Sequence, residues 1–300
     1  MGISLEDLKA YVAENCDRAS FIQNWLSARG IDSNLIVIDG KKHILVQFDK
    51  RFYNPKFRIK TVVSHYDRVS GSPGANDNSA ANLMIMDWCC RLNVLPSFHN
   101  VRAFFTDGEE LGWNTGVNEQ GAFGIASTFK RLGITNDDVY VFDACGRGDI
   151  PVLSRTVLSK NAPKKFCAQF FDLFERTQNL LRSACPERWM SLPVPYSDNA
   201  SFLACGIPAV ALTMLPADEA SLYAHEIMTN PRLEDMVLNR ESSKQERLAS
   251  NSVEYSYKER LPLTWRLFHS EKDDIPSLTE NSFFIMAKIL DALAVSKTPC

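Results

Sequence analysis

Residues 61–83, TVVSHYDRVSGSPGANDNSAANL, run from an apolar segment through a Gly/Ser/Pro loop into an amphipathic one. Residues 57–64 alternate and then close on Thr61, Val62 and Val63, as a buried strand of a mostly parallel sheet does. His65 then falls at the C-terminal end of that strand, where open α/β sheets gather ligands, and Asp67 lies two residues on. Gly71, Ser72, Pro73 and Gly74 continue neither strand nor helix, so Asp77 is presented from a turn. Ala81, Met84, Ile85, Trp88 and Leu92 have the spacing of a helix directly after it. Taken alone, His65 reads equally as a hydrogen-bonded histidine and Asp77 as an ordinary N-cap. The rest of the chain decides between these readings.

Three hundred residues with 45% hydrophobic content suffice for a sizeable core, and the length suits one large domain or two small ones; of these we expect a single domain over residues 1–300. The net charge of −3 offers no basic face for nucleic acid or an anionic membrane. No apolar run approaches the ~20 residues of a membrane span, and the N-terminus has no signal-peptide core, so a soluble, cytoplasmic chain is expected. The eight cysteines form no CxxC pair, which fits free thiols in a reducing compartment.

Outward from the opening stretch, residues 4–29 read as one or two helices, and 35–39 and 42–48 as strands joined through Asp39-Gly40. Beyond it come a strand at 100–105, a helix at 121–132, a strand at 139–142, a helix at 164–184, a helix at 197–204 and a strand at 207–214. This alternation predicts an α/β fold of three layers, a central mixed, mostly parallel sheet between helices. Residues 216–262 are long, polar and low in periodic apolar signal. We expect them to form a polar excursion that covers or borders the cleft. An apolar run at 261–268 leads to His269, and a helix through Phe283, Met286 and Leu290 closes the chain.

His65, Asp77, Glu109 with Glu110, Asp143 and His269 all fall at or just past the end of a predicted strand, so one rim of one sheet can collect them. Two imidazoles and several carboxylates suit a pair of divalent ions, with one glutamate left over as a general base.

The ordered motifs SHYDRVSGSPGANDN, FFTDGEELGWNTG, YVFDACG, PYSDNASFLACGIPAVAL and LFHSEKDD resemble the M28 family of zinc aminopeptidases, to which zinc-dependent glutaminyl cyclases are related. The resemblance spans roughly residues 57–290 and implies a phosphorylase/hydrolase-like fold of the zinc exopeptidase type. By motif position it implies two Zn2+ ions bridged by Asp77, with His65 and Asp143 completing one and Glu110 and His269 the other. It makes Glu109 the general base and Asp67 the residue that orients His65. A peptide or small amide cleaved at its N-terminal bond is the implied substrate; a one-zinc cyclase or a non-catalytic binding protein are the alternatives. Trp113 is similarly placed to an aromatic wall of the cyclases, although core packing is the simpler reading, and Tyr196 is a candidate substrate contact.

Overall fold

A computed structural model describes residues 2–111, 116–238 and 259–300. Its centre is an eight-stranded sheet in the order β1-β2-β4-β3-β5-β8-β6-β7. The strands are β1 (Asn34–Ile38), β2 (Lys41–Gln47), β3 (Lys60–His65), β4 (Val101–Thr106), β5 (Asp138–Phe142), β6 (Ile150–Ser154), β7 (Met190–Leu192) and β8 (Ala209–Leu215). The four central strands β4-β3-β5-β8 are mutually parallel, while β2 joins β4 and β6 joins β8 antiparallel. The sheet is therefore mixed and mostly parallel, as expected.

The pleat sorts each central strand between two cores. Val62, Phe105, Tyr140, Phe142, Val210 and Leu212 join one apolar cluster, and Val63, Phe104, Val139, Val141, Ala209 and Ala211 join the other. The first core is covered by α1 (Leu5–Val12), α2 (Arg18–Ser27), α3 (Ala80–Asn93) and α5 (Lys164–Ala184), together with α10 (Glu280–Val295). The second lies under α4 (Gly121–Arg131) and α6 (Asn199–Ala204). Layers on both faces explain why every residue of β3 is buried.

The N-terminal helices are locally well specified. Ser4 and Asp7 form a capping box on α1, Asp17 caps α2, and Trp25 Nε1 donates to Asp7 Oδ1. At the opposite end of the sheet from the site, Lys60 Nζ donates to the carbonyls of Leu293 (2.8 Å) and Ala294 (3.2 Å) at the end of α10, and to that of Ser296. Phe57 pairs with Pro299 beside it.

Three expectations change. β6 and β7 are strands that the sequence pattern does not announce. Residues 216–262 are not wholly a polar excursion, because α7 (Ala217–Thr229) and α8 (Pro231–Leu238) bury Tyr223, Ile227, Leu233 and Val237 in a third core on the β6–β7 side. α7 exposes Leu222 and Met228 on its outer face, which blurs its apolar period, and α8 is only eight residues long. Residues 239–258, the remainder of the expected cleft cover, lie outside the described residues. Finally, the run before His269 is a short helix, α9 (Leu263–Arg266), rather than a strand, since Pro262 starts a helical turn there.

Candidate metal centre

The parallel strands β3, β4 and β5 end side by side, and their ends deliver His65, the Asp107–Glu110 turn and Asp143. Asp77 arrives from an irregular turn over residues 75–79, where its backbone (φ −110°, ψ 84°) is not helical and the peptide to Asn78 is cis. That turn is held from three sides. Asn78 Nδ2 donates to Ser64 Oγ (3.0 Å) and to the Phe142 carbonyl (2.9 Å), and Asn78 Oδ1 accepts from Ala144 N (3.2 Å). Asn76 Oδ1 accepts from Gly146 N. Asp273 accepts the backbone N–H groups of Asn76 (2.8 Å) and Asp77 (3.0 Å). His269 enters with left-handed backbone, φ 60°, an uncommon conformation for a non-glycine residue.

These residues form two groups that share Asp77. Nε2 of His65 lies 3.1 Å from Asp77 Oδ1 and 3.5 Å from Asp143 Oδ1. Nε2 of His269 lies 3.5 Å from Asp77 Oδ2 and 2.8 Å from Glu110 Oε2. The two oxygens of one carboxylate thus face two different imidazoles. Donors bound tetrahedrally to zinc at ~2.0–2.2 Å stand about 3.3 Å apart, and these separations are close to that. A third grouping, His65 with Glu109 and Glu110, is also compact. The aim of His65 argues against it as the primary set, because Nε2 points at Asp77 and Asp143 while Nδ1 faces Asp67 Oδ1 at 3.4 Å.

Asp67 organises what surrounds the ligands. Besides facing His65, its two oxygens accept the backbone N–H groups of Glu109 (3.1 Å) and Glu110 (3.0 Å). Burial works against its charge, but His65 and those two donors hold its carboxyl below the usual carboxylate range. Glu109 belongs to neither group that shares Asp77. Its Oε1 accepts from Gln120 Nε2 at 2.8 Å, and Ser201 Oγ donates in turn to Gln120 Oε1. Burial pushes Glu109 well above the ordinary glutamate value.

The electrostatics fit a cation. Burial and then Asp77 push Glu110 up to about 7, and burial pushes Asp198 to about 7. Burial alone depresses His65, yet Asp143, Asp67 and Asp77 push it well above the ordinary histidine value. So many acids in one buried place ionise together only with positive charge among them, which a divalent ion held by either group would supply. Nε2 of His65 and Oδ1 of Asp143 are buried without a hydrogen-bond partner of good geometry, as donors reserved for a metal are.

The expected residues His65, Asp67, Asp77, Glu109, Glu110, Asp143 and His269 therefore converge. Tyr196 is half-buried in the loop leading to Asp198, and Trp113 lies outside the described residues. Gln120, Asp198 and Asp273 were not singled out by sequence reasoning. Asp198 and Asp273 stand inside quoted motifs, which was the available signal; Gln120 carries none.

A family model described as peptidase family M28 matches residues 54–293. No curated protein matches the chain. Among solved structures, the LapA aminopeptidase of Legionella pneumophila is similar with a TM-score of 0.63 and 16% identity, over 97% of this chain and 69% of that one. A Zn-dependent exopeptidase from Parabacteroides distasonis gives 0.60 and 11%, over 99% of both chains. The glutaminyl cyclase of Tannerella forsythia gives 0.59 and 11%, over 99% of this chain and 100% of that one. At these identities the likeness establishes the fold.

Proposed function

We propose, from the premise that this chain belongs to peptidase family M28, that it is a two-zinc aminopeptidase acting on peptides or small amides. The observation that carries this reading is the single carboxylate of Asp77 turned toward two imidazoles, with Glu109 beside both groups and in neither. His65, Asp77 and Asp143 would hold one ion, and Asp77, Glu110 and His269 the other. Zinc bound there supplies Lewis acidity to the scissile carbonyl and lowers the pKa of an attacking water.

The remaining work belongs to the chain. Glu109, held at Oε1 by Gln120, keeps Oε2 to take a proton from the water and pass it to the leaving amine. Asp67 fixes His65 with Nε2 toward the ligand side and fixes the backbone that carries both glutamates. A free α-amino group on the substrate can pair with a carboxylate at the rim, which favours cleavage at the N-terminal bond.

A glutaminyl cyclase activity with one zinc is the second reading, drawn from the full-length likeness to the Tannerella forsythia enzyme. Two complete donor groups favour two ions, and retention of the whole donor set weighs against a non-catalytic binding role. Metal analysis of the purified chain, with assays on amino-acid amides, short peptides and Gln-peptides, separates them. Two zinc ions with release of N-terminal residues supports the proposal. One zinc with ring closure of N-terminal glutamine overturns it.

A further inference from the structure

Residues 1–53 lie outside the segment that the family model matches, yet one of them reaches the metal centre. Arg18, the first residue of α2, is only 5% exposed. Its Nη1 donates to the carbonyls of Tyr66 (2.9 Å) and Asp67 (3.4 Å). Its Nη2 donates to the carbonyls of Pro73 (2.8 Å) and Gly74 (3.4 Å) and to Ser79 Oγ (2.8 Å). These acceptors belong to the two limbs of one loop, which leaves β3 with His65 and Asp67 and returns with Asp77.

The loop is shaped around this guanidinium. Gly74 has φ +59°, and a Cβ there would stand 3.2 Å from Arg18 Nη2 and 2.6 Å from the Asp77 carbonyl oxygen. Arg68 answers from within the loop: Nη1 donates to Val12 O and Pro73 O, and Nη2 to Ala13 O and Glu14 O. The Asp67 whose carbonyl accepts from Arg18 is also the residue whose carboxylate faces His65 and holds the Glu109 and Glu110 backbone. A slip of that backbone is passed at once to His65, Glu109 and Glu110.

We propose that Arg18 is a positioning residue of the metal centre, bridging the limbs of the 66–79 loop so that zinc affinity depends on a segment outside the family-matched region. This rests on the two-zinc reading. A planar fork of five N–H donors can serve both limbs, whereas a lysine ammonium on a single atom cannot span them.

The test measures zinc affinity by chelator competition, the Tm of the metal-free chain, and kcat and KM for wild type, Arg18→Lys, Arg18→Ala and the milder Ser79→Ala. Loss of an outer support of this kind costs ~10–100-fold in metal affinity, and that is the drop expected for both Arg18 variants, with a smaller one for Ser79→Ala. A cavity lined by Cys16, Asp17, Arg18, Lys42, Asp67 and Arg68 opens beside the guanidinium. Free guanidinium at sub-denaturing concentration should therefore restore affinity in Arg18→Ala and leave wild type unchanged. A residue that only supports folding would lower the metal-free Tm and leave zinc affinity as in wild type, which overturns the proposal. If the Arg18 variants do not fold, unchanged affinity in Ser79→Ala overturns it. A wild-type chain that binds no zinc sinks the functional reading and this inference together. One that binds two ions but hydrolyses nothing removes only the former.

Discussion

Glu109 and Glu110 are adjacent in the chain and face different partners because their backbone is pinned and their side chains diverge. Asp67 holds both N–H groups, after which Glu110 turns to His269 and Glu109 to Gln120. Glu109→Gln should keep both zinc ions and lose on the order of 10²–10⁴ in kcat. Metal analysis beside the assay checks it, and an active or metal-free variant would sink the assignment. His65→Ala and His269→Ala should each lose metal after dialysis, from different positions, and Asp77→Ala should lose most, since it faces both imidazoles. The protons of the site give a further expectation. Glu110, Asp198 and Asp273 stand at about 7 in the folded chain without metal, against roughly 4 when unfolded. Between those values the folded state binds more protons than the unfolded one, so stability must fall as pH rises through about 4–7. The metal-free Tm should therefore drop from pH 5 to pH 8, while zinc affinity climbs over the same range as competing protons leave. A metal-free Tm that rises over this range contradicts it. The donors were legible because their residue types are those of metal ligands. Gln120 was not, because an amide carries no signature until the fold sets it against Glu109.

At the scale of elements, the centre depends on one asparagine that ties two strand ends together. Asn78 bonds to Ser64 on β3 and to Phe142 and Ala144 at the end of β5. Asn78→Ala leaves a buried carbonyl and a buried N–H without partners and should cost roughly 2–4 kcal/mol. Denaturant unfolding of the metal-free chain measures this, and a loss under 1 kcal/mol would mean that the strand ends are held otherwise. β3, β5 and α3 could be read from the sequence because they are uniformly apolar or cleanly periodic. β6 contains Pro151 and β7 is three residues long, so neither gives a period-2 signal. α7 leaves Leu222 and Met228 exposed, so its apolar residues do not mark one face, and the burial of α7 and α8 is set by Trp265 and Leu192 from elsewhere in the chain.

Across the whole molecule, two ends of the sheet have separate tasks. The C-terminal strand ends carry the candidate site, and the opposite end is fastened by Lys60, which is 4% exposed, to the last turn of α10. Lys60→Met removes a buried amine, whose pKa burial lowers to about 7, from the carbonyls of Leu293, Ala294 and Ser296. We expect a loss of about 2–4 kcal/mol, read as a lower Tm, with zinc affinity within a factor of two of wild type. A selective loss of zinc would show that the two ends are coupled. The three-layer plan was readable from the alternation of elements. The closing of β3 by residues near 293–299 was not, since neither partner has a local pattern that names the other.

That fastening also sets a clock. Lys60 and Leu293 are separated by 233 residues, so the central strand waits for its anchor while the intervening chain is synthesised. At about 5–20 residues per second on the ribosome, the interval is on the order of 10–50 s. Through that time β3 is an apolar strand without the fixing at its N-terminal end. His65 and His269 are likewise far apart in the chain, so the candidate site is complete only after nearly all of the chain has been made.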